Sequence, residues 1–158
     1  MKTLIIYATK YGCTEDCADY LKTKLTSDTK LIDINKTNEQ IALGDYDTII
    51  IGGSVYIGSV SKKLREFCES NLDILSKKNV GIFLCSAQTD LFSDTLKSNF
   101  PAALLESVKT TKLFGSEARF EKMKFFDKLI IKAVTKGDFS KFKISNEKMD
   151  EFVTEITG

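Results

Sequence analysis

Apolar residues along this chain follow two rhythms. Short runs with almost no alternation stand at 4–8, 31–34, 48–51 and 80–85, with a weaker fifth at 112–114. Such runs are what a parallel sheet buried on both faces requires. Between them the apolar spacing is helical, as in Ala18, Leu21 and Leu25, or Leu64, Phe67 and Cys68. A further helix is expected near 91–97, with Pro101 breaking the pattern before another at 102–108. Met149, Phe152, Val153 and Ile156 predict a final amphipathic helix, which Ser145 and Lys148 open as half of a capping box. Strand and helix alternate about five times, so the fold class is α/β, a doubly wound parallel sheet.

In such sheets ligands gather beyond the carboxyl ends of the strands, and three loops there carry candidate chemistry. The first holds Thr9, Lys10, Tyr11, Gly12, Cys13 and Thr14 at the entrance to a helix. A helix N-terminus offers unpaired N–H groups and partial positive charge to a phosphate. Gly12 would let the backbone close around it, the Thr9 and Thr14 hydroxyls could donate, and Lys10 is expected to be solvated. The same residues could be an ordinary cap, with Thr14 at its start. There is no Walker A ending, no Gly-x-Gly-x-x-Gly and no Cys-x5-Arg loop.

The second loop, Ser54, Val55, Tyr56, Ile57 and Gly58 after Gly52-Gly53, is glycine-flanked and could lie against a flat ring, or be a surface loop with one half-exposed tyrosine. The third, Ser86, Ala87, Gln88 and Thr89, offers polar groups for the edge of a heterocycle. Together they describe a site for a small, phosphorylated, ring-bearing cofactor.

At 158 residues the chain suits one domain, 1–158. Its 42% hydrophobic and 28% charged residues exclude a disordered class. No apolar run nears the roughly 20 residues of a membrane span, and Met1-Lys2-Thr3 turns too quickly to strand for a secretory signal. A cytoplasmic setting is therefore expected.

Histidine is absent, which removes Ser-His-Asp and Cys-His catalysis and leaves any chemistry to other side chains or to a bound cofactor. Cys13, Cys17, Cys68 and Cys85 show no Cys-x-x-Cys spacing, so reduced thiols without a structural metal are expected. In Cys13 the backbone N–H is the expected binding group.

The first loop resembles that of the flavodoxins, whose Thr/Ser-x-Thr/Ser-Gly-x-Thr pattern stands here as Thr9-Lys10-Tyr11-Gly12-Cys13-Thr14, with tyrosine at the third place. The resemblance implies a three-layer sandwich with strand order 2-1-3-4-5 and helices on both faces. It also implies FMN as cofactor, its phosphate at 9–14, its ring at 54–58 with the Ile57–Gly58 peptide near N5, and 86–89 on the other side. The third loop lacks the tyrosine that often stacks on the ring. The chain looks most similar to the branch of menaquinone-dependent protoporphyrinogen dehydrogenases, through Met1-Lys2-Thr3-Leu4-Ile5, the 52–58 loop with Phe67, and Phe125-Phe126-Asp127-Lys128-Leu129-Ile130-Ile131-Lys132. The response-regulator receiver, which shares the fold, needs acidic residues where Thr9-Lys10 and Gly52-Gly53 stand.

The net charge of +1 conceals an asymmetry. Residues 109–143 hold 10 basic and 4 acidic side chains, against 12 and 14 in 1–108 and 1 and 4 in the last fifteen. Phe120, Met123, Phe126, Ile130 and Val134 recur there at helical spacing beside Lys122, Lys124, Lys128, Lys132 and Lys136. Either this helix packs on the sheet with a solvated lysine face, or 120–136 meets an anionic membrane's inner face or an acidic partner.

Three function classes stay open: an FMN oxidoreductase of the protoporphyrinogen dehydrogenase type passing electrons to a quinone, an electron carrier between redox partner proteins, and a flavin-free module. The lack of strong acidity moves the reading from a standard carrier. Nothing points to nucleic acid. The loop 53–60 contains no acidic residue, so a less negative potential is expected for a flavin's final reduction step than in acidic flavodoxins.

Overall fold

The computed structural model describes residues 1–136 and 142–158, excluding the side chains of Phe120 and Val134. Those two members of the predicted basic-helix stripe therefore lie outside the described residues. Five strands, β1 (Lys2–Ala8), β2 (Asp28–Asp33), β3 (Thr48–Ser54), β4 (Asn79–Cys85) and β5 (Thr110–Gly115), form one parallel sheet ordered β2-β1-β3-β4-β5. The expected doubly wound order is thus present. The outermost strands, β2 and β5, begin earlier than their apolar runs, because half-buried edge strands carry polar residues too.

Side chains alternate between two cores. Ile5, Tyr7, Ile50, Phe83, Cys85 and Phe114 face α1 (Cys13–Lys24) and α7 (Asn146–Thr157). Leu4, Ile6, Ile49, Ile51, Ile82 and Leu84 face the other side, where α2 (Lys62–Ser70), α3 (Leu72–Leu75), α4 (Phe92–Asn99) and α5 (Ala102–Ser107) pack. Pro101 is the N-cap residue of α5, with extended Phe100 before it, as the sequence predicts. Ser145 caps α7 by accepting from the Lys148 N–H at 3.2 Å.

On the α1/α7 side, Phe83 stacks on Phe114 with centroids 4.7 Å apart, and Phe152 meets both edge-on. Phe83 lies against Gly52, where any side chain would collide with its ring. That glycine is a packing residue rather than a flexible one.

Among the described side chains, helix α6 (Phe125–Thr135) contributes to neither core. Its Phe125, Phe126 and Leu129 are exposed while Asp127 is buried. Phe126, a member of the expected apolar stripe, is thus exposed rather than packed on the sheet. Among the described residues no helix is long and apolar enough to cross a membrane.

Candidate functional site

Parallel register sets the strand ends side by side: Ala8 pairs with Gly53, and Ser54 with Cys85. The three predicted loops therefore leave one edge of the sheet. A cavity of about 280 Å³ opens between the first two, lined by Ala8, Thr9, Lys10, Asn35, Ser54, Tyr56, Ser59, Val60 and Ser61. Ser86, Ala87, Gln88 and Thr89 stand past the end of β4, outside that lining, and the Gln88 N–H turns back to Ser86 Oγ at 3.2 Å. Val55 donates its N–H to the Cys85 carbonyl at 3.0 Å and packs toward the α2–α5 core.

The first loop is a built cradle. Gly12, the N-cap of α1, has φ 93°, a left-handed conformation that favours glycine. Its N–H donates to Thr9 Oγ1 at 2.8 Å, which fixes the loop and leaves the Thr9 proton free to donate outward. The first helical bond runs from the Asp16 N–H to the Gly12 carbonyl, so the N–H groups of residues 13–15 have no carbonyl within the helix. Thr14 is fully buried, and its Oγ1 has no hydrogen-bond partner among the described residues. An orphaned buried hydroxyl costs about 1–3 kcal/mol, and a phosphate oxygen would relieve it.

Arg119, which sequence patterning did not single out, closes this cradle. A side chain at Gly12 would come within 2.7 Å of its Nη1 and 3.9 Å of Lys122 Nζ. Arg119 Nη1 donates to the Tyr11 carbonyl at 3.3 Å, and its Nη2 pairs with Asp16 and Glu117. Lys122, an Arg119 shared with Asp16 and Glu117, a helix N-terminus and a buried hydroxyl without a partner among the described residues fit a phosphate dianion. The only sequence signal for Arg119 was its place in the basic stretch after the fifth strand.

The second loop is a tight turn strained at its tip. Tyr56 and Ser59 exchange two backbone hydrogen bonds at 2.9 and 3.1 Å, with positive φ at both Ile57 (48°) and Gly58 (72°). A β-branched residue is rare there, yet Ile57 is held with its side chain exposed. Asn99 holds the turn from behind: its Oδ1 accepts from the Val60 N–H at 3.0 Å and its Nδ2 donates to the Gly58 carbonyl at 2.9 Å.

Asp127 of α6 joins the two loops. Both Tyr11 and Tyr56 donate their hydroxyls to it, and Lys10 Nζ lies 3.0 Å from Oδ2. Lys10 also sits 3.3 Å over the Tyr56 ring. This corrects the expectation of a freely solvated Lys10. It also gives the acid-free 53–60 loop a carboxylate neighbour from far along the chain.

The Cys13 side chain turns inward toward Cys17 and Cys85, all three sulfurs lying within 4.8 Å of one another. Hydrogen bonds from Cys17 and then Cys85 hold the Cys13 thiol well below its ordinary pKa, with Arg119 adding favourable charge. The same contacts and burial push the Cys85 thiol well up. Cys68, on the opposite side of the sheet, is raised to about 12 by burial.

A family model described as a flavodoxin domain matches residues 4–144. Flavodoxin 1 from Bacillus cereus is 17% identical, with a TM-score of 0.57 over 99% of this chain and 95% of that one. A Lactobacillus acidophilus flavoprotein solved in complex with FMN is 20% identical, with a TM-score of 0.52 over 71% of this chain and 92% of that one. Two-electron reduced flavodoxin from Megasphaera elsdenii is 18% identical, with a TM-score of 0.50 over 70% and 84%. No curated protein matches the chain. At these identities the structural likenesses establish the fold alone.

Proposed function

The chain belongs to the flavodoxin family, and from that premise we propose that it binds FMN between 9–14 and 54–58 and acts as an oxidoreductase passing electrons to a quinone. The observation that carries the cofactor reading is the buried Thr14 Oγ1, without a hydrogen-bond partner among the described residues, two positions after left-handed Gly12. When bound, the flavin would supply the electron chemistry. The chain's own residues would bind and orient it. Thr9, Thr14 and the free N–H groups of the first turn of α1 would hold the phosphate, with Arg119 and Lys122 balancing its charge. Ser54, Tyr56 and the Ile57–Gly58 turn would bound the ring, kept in place by Asn99, with 86–89 on its far side.

The quinone reading draws on α6. Phe125 and Phe126 stand 70% and 75% exposed beside Lys124, Lys128 and Lys132, at a helix anchored to the site through Asp127. An apolar, basic surface there suits the inner face of an anionic membrane. It would bring a lipid-borne acceptor close to the ring, as the likeness to the protoporphyrinogen dehydrogenases implies. The second reading, a carrier between redox partner proteins, uses the same surface as a docking face.

Titrating the apoprotein with FMN tests the cofactor. Thr14→Val is expected to weaken binding about tenfold or more, since it removes a hydrogen bond to a charged group worth about 1.5–3 kcal/mol. It should leave the unfolding midpoint unchanged or raised. Unaltered affinity would overturn the assignment of the cradle. An anaerobic assay with a porphyrinogen and a quinone then separates enzyme from carrier.

A further inference from the structure

Three of the four thiols meet although nothing in their spacing announces it. Cys13 and Cys17 lie one turn apart on α1, and Cys85 ends β4. Their sulfurs all fall within 4.8 Å of one another, with Cys17 and Cys85 3.8 Å apart. We propose that Cys13, Cys17 and Cys85 form a three-sulfur site for a monovalent soft cation, Cu(I).

The geometry suits such an ion. Metal–sulfur bonds of about 2.3 Å in a trigonal plane set sulfurs about 4 Å apart. Soft thiolates select Cu(I), zinc and iron–sulfur clusters. Zinc in a closed site takes four ligands, and these three thiols are the only such ligand group among the described residues. A trigonal thiolate set is complete for Cu(I) as it stands.

An entry path exists. A cavity of about 140 Å³ reaches Cys13 and Cys17 past Asp16, Glu117 and Arg119, with Met149, whose thioether is itself a soft donor, on its wall. On binding, Cu–S bonds form, the S–H bonds of the protonated thiols break, and their protons pass to buffer. Copper stays monovalent throughout. The excess negative charge lies at the positive end of α1, with Arg119, itself paired to Asp16 and Glu117, beside it. Because Cys13 sits in the phosphate cradle and Cys85 precedes the third loop, the ion would tie together two loops of the crevice.

The test uses the reduced full-length chain under anaerobic conditions, with Cu(I) supplied as its bicinchoninate complex. One equivalent is expected to transfer to the protein, with sulfur-only coordination in copper X-ray absorption. Cys85→Ala and Cys17→Ala, each checked for folding by circular dichroism, should each weaken retention about 100-fold or more, at least matching the loss of an outer-shell partner. Cys68→Ala should change nothing. No transfer, wild-type retention by either alanine variant, or tighter retention of Zn(II) than of Cu(I) would overturn the proposal. Flavin absorbance is read separately, so failure here leaves the FMN reading standing.

Discussion

Helix α7 turns Met149, Phe152 and Ile156 inward until none is more than 2% exposed, whereas α6 leaves Phe125 and Phe126 in solvent and buries Asp127. Both helices are amphipathic in sequence. Their surroundings differ. Helix α7 follows a bridge between Gly115 and Ile144 that returns the chain to the face of β4 and β5, where Phe83 and Phe114 meet Phe152. Helix α6 sits where the first two loops leave the sheet, and the groups that meet it there are two tyrosine hydroxyls and an ammonium. An apolar stripe says which face avoids water, and the fold decides whether anything is there to receive it.

The sharpest way to break this contrast is to truncate one aromatic on each helix. Phe152→Ala should cost about 3–5 kcal/mol in urea unfolding. Phe126→Ser should stay within about 0.5 kcal/mol of wild type, yet reduce co-sedimentation with anionic vesicles. A comparable loss of stability in both variants would place α6 in a core.

A subtler cut is Asp127→Ala. It removes the anchor of α6 without touching either hydrophobic cluster. Hydrogen exchange across 125–135 should accelerate about tenfold or more, while the global unfolding midpoint holds. Unchanged exchange would mean that α6 is fixed by something other than this carboxylate.

The smallest effect concerns the polar fastening of α7. Lys112 Nζ lies 2.8 Å from Glu155 and 3.2 Å from Glu151, and Lys112 first, then Thr110, holds the Glu155 carboxyl below its ordinary pKa. A depressed carboxylate contributes stability above its unfolded pKa and loses it as pH falls through the folded value. Lys112→Met should therefore slightly lower the melting temperature at neutral pH and flatten its decline in acid, since the pair is solvent-screened. A steeper acid decline would contradict the sign.

The elements most legible in the sequence were those set by local pattern. Unalternating runs marked all five strands, and Thr9, Gly12 and Thr14 marked the entrance to α1 where the phosphate is proposed to sit, because a helix entrance is built from neighbours in the chain. The rest depended on where distant segments return. Arg119 reaches Tyr11 across 108 positions, and Asp127 reaches it across 116. Neither carries a local signature beyond lying in a basic stretch. The thiol cluster was hidden for the same reason: spacing along the chain separates Cys17 from Cys85, whereas the sheet places β4 beneath α1. The strained turn at Ile57 was also unreadable, since a β-branched residue argues against the positive φ it adopts.

The proposed FMN site assigns 9–14, closed by Arg119, to the phosphate rather than to a plain helix cap. Parallel fluorescence titrations of the apoprotein with FMN and with riboflavin, which differ only in the phosphate, test it directly. One equivalent of FMN should bind, and riboflavin at least tenfold more weakly, the equivalent of about 1.4 kcal/mol. Equal affinity for the two, or uptake of neither, would contradict it.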